Sequence, residues 1–174
     1  MMQRILIIGC SGAGKTTLAR KLSDLLGLEL IHLDREFWRP GWTAPDLDDW
    51  YAHNEELIAG ESWIMDGNYG STLSLRLRRA DTVIWLDLSR RLCLWRVLWR
   101  LLWNYGQVRP EMTEGCPERY DREFLRYVYE FPEKHRPRIV EKLKAFPPEK
   151  SLHILRTKRE VARFLREVRR SRAG

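Results

Sequence analysis

The fold of this chain follows from residues 9–16, Gly9-Cys10-Ser11-Gly12-Ala13-Gly14-Lys15-Thr16, which match the pattern G-x-x-x-x-G-K-[ST] at every fixed position. Residues 3–8 come directly before this stretch, and their aliphatic run predicts a short buried strand. Residues 15–26 predict a helix with its leucines on one face, ended by Gly27. A strand, a glycine-rich turn and a helix in this order direct backbone N–H groups and the positive end of a helix at a bound anion.

This turn predicts a binding site for the phosphates of a nucleotide together with Mg²⁺. The Lys15 ammonium is placed to reach the β- and γ-phosphates, and the Thr16 hydroxyl is a suitable ligand for Mg²⁺. The expected nucleotide contacts are the loop and the first helical residues: Gly9, Ser11, Gly12, Ala13, Gly14, Lys15, Thr16 and Thr17. The alternative, a glycine-rich turn beside a solvated lysine, is disfavoured by the flanking strand and helix.

The composition is that of an ordinary globular protein. Its 174 residues, 44% hydrophobic and 32% charged, are enough for one domain with its own core. Residues 1–4 run directly into the first strand, which leaves no room for a cleaved leader and favours a cytoplasmic location. The longest apolar run, residues 92–103, is too short to span a bilayer, so we expect no membrane partner. Three widely spaced cysteines and four histidines predict neither a disulfide framework nor a zinc site.

The net charge of +7 is concentrated at the C-terminal end, where residues 156–174 contain eight basic and two acidic side chains. One interpretation of this tail is weak contact with DNA or another polyanion. The other, which we favour, is an amphipathic helix that packs on the core and leaves its arginines in water. The apolar spacing i, i+3, i+4, i+7 that predicts this helix is formed by Val161, Phe164, Leu165 and Val168.

Strand and helix patterns alternate along the chain, which predicts an α/β fold with a parallel sheet and helices on both faces. Further strands are expected at residues 28–33, 62–65, 82–86 and 152–155, and helices at 47–59, 71–79, 89–103, 120–131, 133–146 and near the C-terminus. Pro132 is expected to break the helices between 120 and 146. Residues 104–119 show no periodicity, and a loop of this length is often a lid over a site.

Carboxylates follow the predicted strands at the edge where parallel sheets bind ligands. Asp66 is followed by Gly67 and suits a residue that holds Mg²⁺ through water, with a turn cap as the alternative. Asp34 is expected to bind a phosphoryl acceptor or to accept its hydroxyl proton, although it also suits a cap of the next loop. Asp87 is interpreted as structural.

Arginines are expected to converge on a transferred phosphoryl group. Arg96 and Arg100 lie four residues apart on a helix that is otherwise apolar, so we expect this helix to be buried except for the face of these two arginines. The alternative is that both side chains extend to water. Arg109, in the aperiodic segment, is expected to close over the phosphates.

Residues 37–42, Phe37-Trp38-Arg39-Pro40-Gly41-Trp42, follow the second predicted strand. Arg39 and Trp42 suit the recognition of a flat anionic acceptor, although the tryptophans equally suit packing of the loop. Arg76 is a weaker candidate for acceptor binding, since it also suits the surface of a helix.

Together these features resemble the adenylate-kinase-related P-loop kinases, and within them the bacterial DNA topology modulation proteins (FlaR-related). The resemblance covers nearly the whole chain. It rests on residues 9–16, on Ile31-His32-Leu33-Asp34, on residues 37–42, on Trp63-Ile64-Met65-Asp66-Gly67-Asn68-Tyr69, on Leu92-Cys93-Leu94-Trp95-Arg96 and on Glu114-Gly115-Cys116-Pro117-Glu118.

This resemblance implies a P-loop NTPase three-layer sandwich formed by one domain over residues 1–174, with a five-stranded parallel sheet of order 2-3-1-4-5. It also implies ATP and Mg²⁺ as ligands, an acceptor loop at about residues 35–60 and a lid at about residues 104–120. The chain departs from nucleoside monophosphate kinases after Asp66-Gly67, where Asn68-Tyr69-Gly70 replaces an aromatic-Pro-Arg run. The acceptor is therefore expected to differ from a nucleoside monophosphate.

The resulting hypothesis is a nucleotide-kinase-like phosphotransferase that moves the γ-phosphoryl group of ATP to a small acceptor. Its expected catalytic residues are Lys15, Asp34, Arg96, Arg100 and Arg109. Its expected acceptor contacts are Asp34, Arg39, Trp42 and Arg76, and its expected metal contacts are Thr16 and Asp66. The alternatives are a nucleotide-gated DNA-binding regulator of DNA topology and a simple ATPase.

Overall fold

A five-stranded parallel sheet lies at the centre of the structure, a computed structural model that describes residues 2–173. Its strands are β1 (Arg4–Gly9), β2 (Leu30–His32), β3 (Trp63–Asp66), β4 (Thr82–Leu86) and β5 (Ser151–Leu155). They lie side by side in the order β2-β3-β1-β4-β5, and every neighbouring pair is parallel. The predicted fold class and strand order are therefore confirmed.

Helices connect the strands. They are α1 (Lys15–Leu26), α2 (Leu33–Phe37), α3 (Leu47–Ala59), α4 (Leu73–Arg79), α5 (Arg90–Asn104), α6 (Arg122–Glu130), α7 (Arg136–Lys144) and α8 (Lys158–Ala173). A π-helical turn, Phe131–His135, joins α6 to α7. The α-helical hydrogen-bond pattern is thus interrupted at Pro132, where the sequence predicts a break, although the chain remains helical through the π-turn. A difference from the sequence-based expectation is α2, whose first turn contains Asp34 in place of a strand end.

The core is formed by the sheet and the helix faces packed against it. Residues 5–8 of β1 are fully buried, as are Trp63, Ile64 and Met65 of β3. This continuous burial is expected for a parallel strand that is covered on both faces. In α8, Phe164 and Val168 are buried while the arginines remain exposed, so the predicted amphipathic packing of the C-terminal helix is confirmed. Among the described residues, no helix combines the length and the apolar character needed to cross a membrane.

The strand register places the carboxyl ends of β1, β2 and β3 beside one another. Ile7 of β1 and His32 of β2 both pair with Asp66 of β3, and Gly9 pairs with Leu86 of β4. The glycine-rich loop after β1 therefore emerges at the same sheet edge as Asp66.

Helix α5 is oriented differently from the sequence-based expectation. Its buried residues are Cys93 and Val97, whereas the other side exposes a stripe of large apolar side chains: Trp95, Leu98, Trp99, Leu102 and Trp103. The indole rings of Trp95 and Trp99 stack with their centroids 5.7 Å apart. The expectation that α5 is buried except for its arginines is therefore wrong, because the helix is covered on only one side and Arg96 and Arg100 lie toward the protein interior.

Arg76 is fully buried beneath the loop that follows β3. Its guanidinium donates hydrogen bonds to the backbone carbonyls of Gly67, Asn68 and Tyr69 at 3.2, 2.6 and 2.9 Å. Burial lowers the pKa of Arg76 to about 9, which still leaves the group charged at neutral pH. Arg76 is thus a structural support of the loop, and the expectation that it contacts an acceptor is wrong because no part of the side chain reaches the surface.

Replacement of this arginine tests its structural role. We expect Arg76→Met to lower the free energy of unfolding by about 3 kcal/mol, because three carbonyls lose their donor in a buried site. Urea denaturation followed by circular dichroism measures the change. The control is Arg78→Met, which removes an exposed arginine of the same helix and is expected to change stability by less than about 0.5 kcal/mol. Equal stability of the two variants would contradict the assignment.

Candidate active site

The glycine-rich loop adopts a conformation that only glycine permits at three positions. Gly9, Gly12 and Gly14 have φ angles of 148°, 80° and 96°. A Cβ atom on Gly9 would lie 2.5 Å from the carbonyl oxygen of Leu86, and one on Gly12 would lie 2.4 Å from that of Cys93. The loop backbone is therefore held closely between the end of β4 and α5, as expected for a turn that presents N–H groups to an anion.

Lys15 begins α1 and folds back over this loop. Its ammonium donates hydrogen bonds to the carbonyls of Gly9 at 3.0 Å and Cys10 at 3.2 Å. No ion pair of Lys15 with a carboxylate is present within residues 2–173, so its charge is uncompensated at the mouth of the loop. A bound phosphate would supply the missing negative charge.

Thr16, His32 and Asp66 form a hydrogen-bonded group beside the loop. The Thr16 hydroxyl donates to Asp66 Oδ2 at 2.8 Å, and His32 Nδ1 lies 2.6 Å from Asp66 Oδ1. Asp66 is 5% exposed, so its carboxylate is oriented by these two contacts. Hydroxyl and carboxylate oxygens suit Mg²⁺. The described part of the chain contains no cluster of three or more metal-ligating side chains, so Mg²⁺ here would take its remaining ligands from water and nucleotide phosphates, as this ion commonly does.

Asn68 connects the loop after β3 to the end of β1 through hydrogen bonds. The Gly9 N–H donates to Asn68 Oδ1 at 2.9 Å, while Asn68 Nδ2 donates to the Gly9 carbonyl at 2.7 Å and to the Tyr127 hydroxyl at 3.2 Å. The sequence analysis missed Asn68 and His32 as site residues. Their positions in the sequence could have predicted them as site residues, since Asn68 directly follows Asp66-Gly67 and His32 ends a predicted strand at the same sheet edge.

Arg96 contacts the glycine-rich loop directly. Its Nη1 donates to the carbonyls of Gly12 at 3.2 Å and Ala13 at 3.0 Å. The side chain also borders a hollow of about 430 Å³ between the start of α1 and the start of α8, together with Thr17 and Lys158. Arg96 therefore lies at the loop, where it contacts backbone carbonyls, and its expected contact with a transferred phosphoryl group stays a prediction.

A larger cavity of about 640 Å³ extends from the glycine-rich loop between the lid segment (residues 104–120) and helices α6 and α7. It brings together several residues that the sequence analysis singled out: Ser11, Lys15, Asp34, Trp38, Trp42, Arg100 and Arg109. Arg39 is not among its lining residues. Its guanidinium lies 3.7 Å from Asp49 on the surface, so the expectation that Arg39 contacts an acceptor is wrong in this conformation.

Glu118 of the lid segment forms ion pairs with two of the predicted arginines. Arg100 Nη2 lies 2.9 Å from one carboxylate oxygen, and Arg109 Nε donates to the other at 2.8 Å. Burial, together with the positive charge of Arg109, lowers the pKa of Arg100. The carboxylate thereby joins α5 to the lid segment and holds both guanidinium groups at the cavity wall.

Two cavity residues, Trp42 and Tyr69, have positive φ angles of 62° and 37°, which side-chain-bearing residues rarely adopt. The Trp42 indole N–H donates to the Pro117 carbonyl at 3.1 Å, so it connects the loop between α2 and α3 to the lid segment. The Tyr69 hydroxyl donates to Asp34 Oδ1 at 2.7 Å. Burial and the negative charge of Asp34 raise the pKa of Tyr69, so it remains a hydrogen-bond donor that orients Asp34. Backbone strain of this kind concentrates at functional sites.

The sheet order, the glycine-rich loop and the surrounding helices are those of the P-loop kinase fold. The structure resembles a shikimate kinase from Acinetobacter baumannii in complex with shikimate, with a TM-score of 0.55 at 18% identity over 97% of this chain and 91% of that one. It also resembles a gluconokinase from Sinorhizobium meliloti 1021, with a TM-score of 0.54 at 18% identity over 98% and 91% of the two chains. These likenesses concern the fold.

In sequence, the chain is similar to a cytidylate kinase from Nitratidesulfovibrio vulgaris (strain DP4). The two are 36% identical over 69 residues, which cover 37% of this chain and 29% of that kinase. The match thus spans less than a third of the curated relative's length. No protein-family model matches the chain.

The contact between Asn68 and Gly9 generates a prediction for nucleotide binding. We expect Asn68→Ala to weaken MgATP binding roughly tenfold, because the Gly9 N–H and carbonyl lose partners that hold the loop in shape. Isothermal titration calorimetry measures the dissociation constant. Asn104→Ala is the control, since Asn104 donates only to the Arg100 carbonyl of its own helix. Wild-type affinity in Asn68→Ala would show that the loop keeps its shape without this side chain.

Proposed function

We propose that the chain is an ATP-dependent, Mg²⁺-requiring phosphotransferase that acts on the hydroxyl group of a small acceptor. The observation that carries this proposal is the continuity of the 640 Å³ cavity from Lys15 to Asp34. The part of the cavity at the glycine-rich loop has the chemistry of a triphosphate site, and Asp34 provides an oriented carboxylate in the same cavity. The kinases that share this fold, and the cytidylate kinase similar in sequence, support the same class of reaction.

The nucleotide would be held by the glycine-rich loop. Backbone N–H groups of residues 9–17 and the positive end of α1 would bind the phosphates, and the Lys15 ammonium would exchange its carbonyl partners for β- and γ-phosphate oxygens. The hollow beside Arg96, Thr17 and Lys158 suits the nucleoside part of ATP, since it begins at the loop and is open to solvent.

Thr16 and Asp66 would hold the metal ion, Thr16 through its hydroxyl and Asp66 through a bound water. When bound, Mg²⁺ neutralises charge on the β- and γ-phosphates. His32 then keeps the Asp66 carboxylate in place through its contact with Oδ1.

In the transfer step the acceptor hydroxyl oxygen bonds to the γ-phosphorus while the bond between this phosphorus and the β,γ-bridging oxygen breaks. The hydroxyl proton passes to Asp34, which Tyr69 orients, and ADP leaves with the electron pair of the broken bond. Arg100 and Arg109 lie at the cavity wall where they would stabilise negative charge on the transferred group. Arg96 would support the loop carbonyls and border the nucleotide.

The finer features of the proposal come from the sequence. Asn68-Tyr69-Gly70 in place of an aromatic-Pro-Arg run supports an acceptor other than a nucleoside monophosphate. Membership of the DNA topology modulation group, weak DNA contact through α8, a single domain with a movable lid and a cytoplasmic location stay predictions. A simple ATPase would use the same loop, and it differs in that no added acceptor accelerates its ADP release.

Loss of the loop lysine tests the nucleotide site. We expect Lys15→Ala to remain folded and to bind MgATP at least about a hundredfold more weakly, because the uncompensated cation that faces the phosphates is removed. Calorimetry measures binding and circular dichroism verifies the fold. Lys144→Ala removes an exposed lysine of α7 that pairs with Glu141 and should bind MgATP like the unmodified protein. Unchanged affinity in Lys15→Ala would refute the proposed function.

Asp66→Asn tests the metal contact separately from nucleotide binding. Asparagine retains the shape of the side chain but removes the negative charge and replaces one of the two oxygens that face Thr16 and His32 with an NH₂ donor. We expect the Mg²⁺ concentration that gives half-maximal ADP release to rise at least about tenfold. A magnesium titration of ADP release measures it, with the exposed Asp48→Asn as the charge-matched control. If both variants titrate alike, Asp66 does not act on the metal.

A further inference from the structure

The cavity contains positive charge that nucleotide binding at the glycine-rich loop does not explain. Helix α7 and the turn before it present a row of basic side chains to the cavity: His135, Arg138 and Lys142. Arg138 and Lys142 lie four residues apart and so share one helix face. This row lines a wall of the cavity that is formed neither by the glycine-rich loop nor by the lid segment.

The cations of this row differ from the other cations of α7 in their ion pairing. Arg136 pairs with Asp87, and Lys144 pairs with Glu141. Within residues 2–173, Arg138 and Lys142 form no ion pair with a carboxylate. The cations of the other wall have carboxylate partners, because Arg100 pairs with Glu118 and Arg109 pairs with both Glu118 and Glu111.

Lys142 is also fixed in position. Its ammonium donates to the Gly70 carbonyl at 2.7 Å and to the Ser74 hydroxyl at 3.0 Å, which leaves one of its three protons for another acceptor. Burial, together with the positive charge of Arg76, lowers the pKa of Lys142. Burial, together with the positive charges of Arg138 and Lys134, lowers the pKa of His135. Burial is the main cause of both shifts, and the neighbouring positive charges add to it.

We infer that the phosphoryl acceptor carries an anionic group, a carboxylate or a phosphate, which Arg138 and Lys142 bind at the α7 wall of the cavity. This inference rests on the proposed function. The guanidinium of Arg138 provides two parallel N–H donors for such a group, and the fixed ammonium of Lys142 provides a third. The aromatic rings that also line the cavity, among them Trp38, Phe124 and Tyr127, suit a flat body on the acceptor.

The arrangement separates the two ends of the acceptor. Its anionic group would lie at α7 while its hydroxyl group lies at Asp34, beside the loop where the γ-phosphate is bound. A neutral analogue would leave the positive charges of Arg138 and Lys142 unpaired. The site would therefore bind an anionic acceptor in preference to a neutral one.

Binding of four small probes to the intact protein tests this inference. The probes form two matched pairs, benzoate with benzamide and phenyl phosphate with phenol, and each is titrated with and without saturating MgADP by NMR. We expect each anion to bind at least about tenfold more tightly than its neutral partner when MgADP occupies the loop. Tighter binding of benzoate than of phenyl phosphate identifies a carboxylate acceptor, and the reverse identifies a phosphate.

The variants Arg138→Gln and Lys142→Gln locate the site. Each substitution is expected to weaken the binding of both anions at least about fivefold and to leave the affinities for the neutral probes and for MgADP unchanged. Arg163→Gln, which removes an exposed arginine of α8, controls for the overall change in charge. The inference is overturned if the protein binds the anions no more tightly than their neutral partners, or if both α7 variants bind the anions like the wild type. It is also overturned if Arg163→Gln loses as much affinity for the anions as the α7 variants do. Weaker MgADP binding by Arg138→Gln would also overturn it, since the arginine would then contact the nucleotide.

Failure of this inference is distinguishable from failure of the proposed function. MgADP binding is measured in the same samples before the probes are added. Absence of MgADP binding contradicts the phosphotransferase, and the probe titrations without nucleotide still decide the α7 site. Normal MgADP binding without an anion preference contradicts the α7 site alone.

Discussion

The close approach of the loop after β1 to its neighbours governs the geometry of the site. A Cβ atom on Gly9 or Gly12 would meet a backbone carbonyl at 2.5 or 2.4 Å, so the loop lies directly against the end of β4 and against α5. This contact explains why Arg96, which is three residues after Cys93 on α5, reaches the loop carbonyls. On the opposite side, the pairing of Ile7 with Asp66 brings Asn68 to Gly9. The loop is therefore held by β4, by α5 and by the loop after β3, and the last two contribute the polar side chains of Arg96 and Asn68.

The distribution of charge divides the cavity into walls of different character. Glu118 compensates Arg100 and Arg109 and thereby attaches the lid segment to α5. Lys15 is held by carbonyls alone, and Arg138 and Lys142 on α7 have no carboxylate partner among the described residues. A cation paired with a carboxylate positions the chain around it, whereas an unpaired cation in a cavity favours an incoming anion. The loop and α7 are accordingly the two walls that present cations without a carboxylate partner to an incoming anion.

Much of the fold and the centre of the site could be predicted from the sequence, because their signals are local. The limits of α3 and β4 agree with the predicted residues 47–59 and 82–86, and Thr16 of the glycine-rich motif lies beside Asp66 at the predicted sheet edge. The strand order came from the resemblance, and the structure confirms it. Periodicity reveals that a helix has two faces but not which one is covered, and this led to the wrong orientation of α5. The burial of Arg76 could not be predicted either, because its partners are backbone carbonyls, and every residue has a carbonyl whatever its side chain.

Helix α5 links the two ends of the active site through side chains one turn apart. Arg96 donates to the carbonyls of the glycine-rich loop, and Arg100 pairs with Glu118 of the lid segment. A helical turn is rigid on the scale of these contacts, because each residue is fixed by backbone hydrogen bonds to the next turn. The loop and the lid segment are therefore attached to adjacent turns of one helix. Both contacts are made by the inner face of α5, whereas its apolar stripe lies on the exposed outer face.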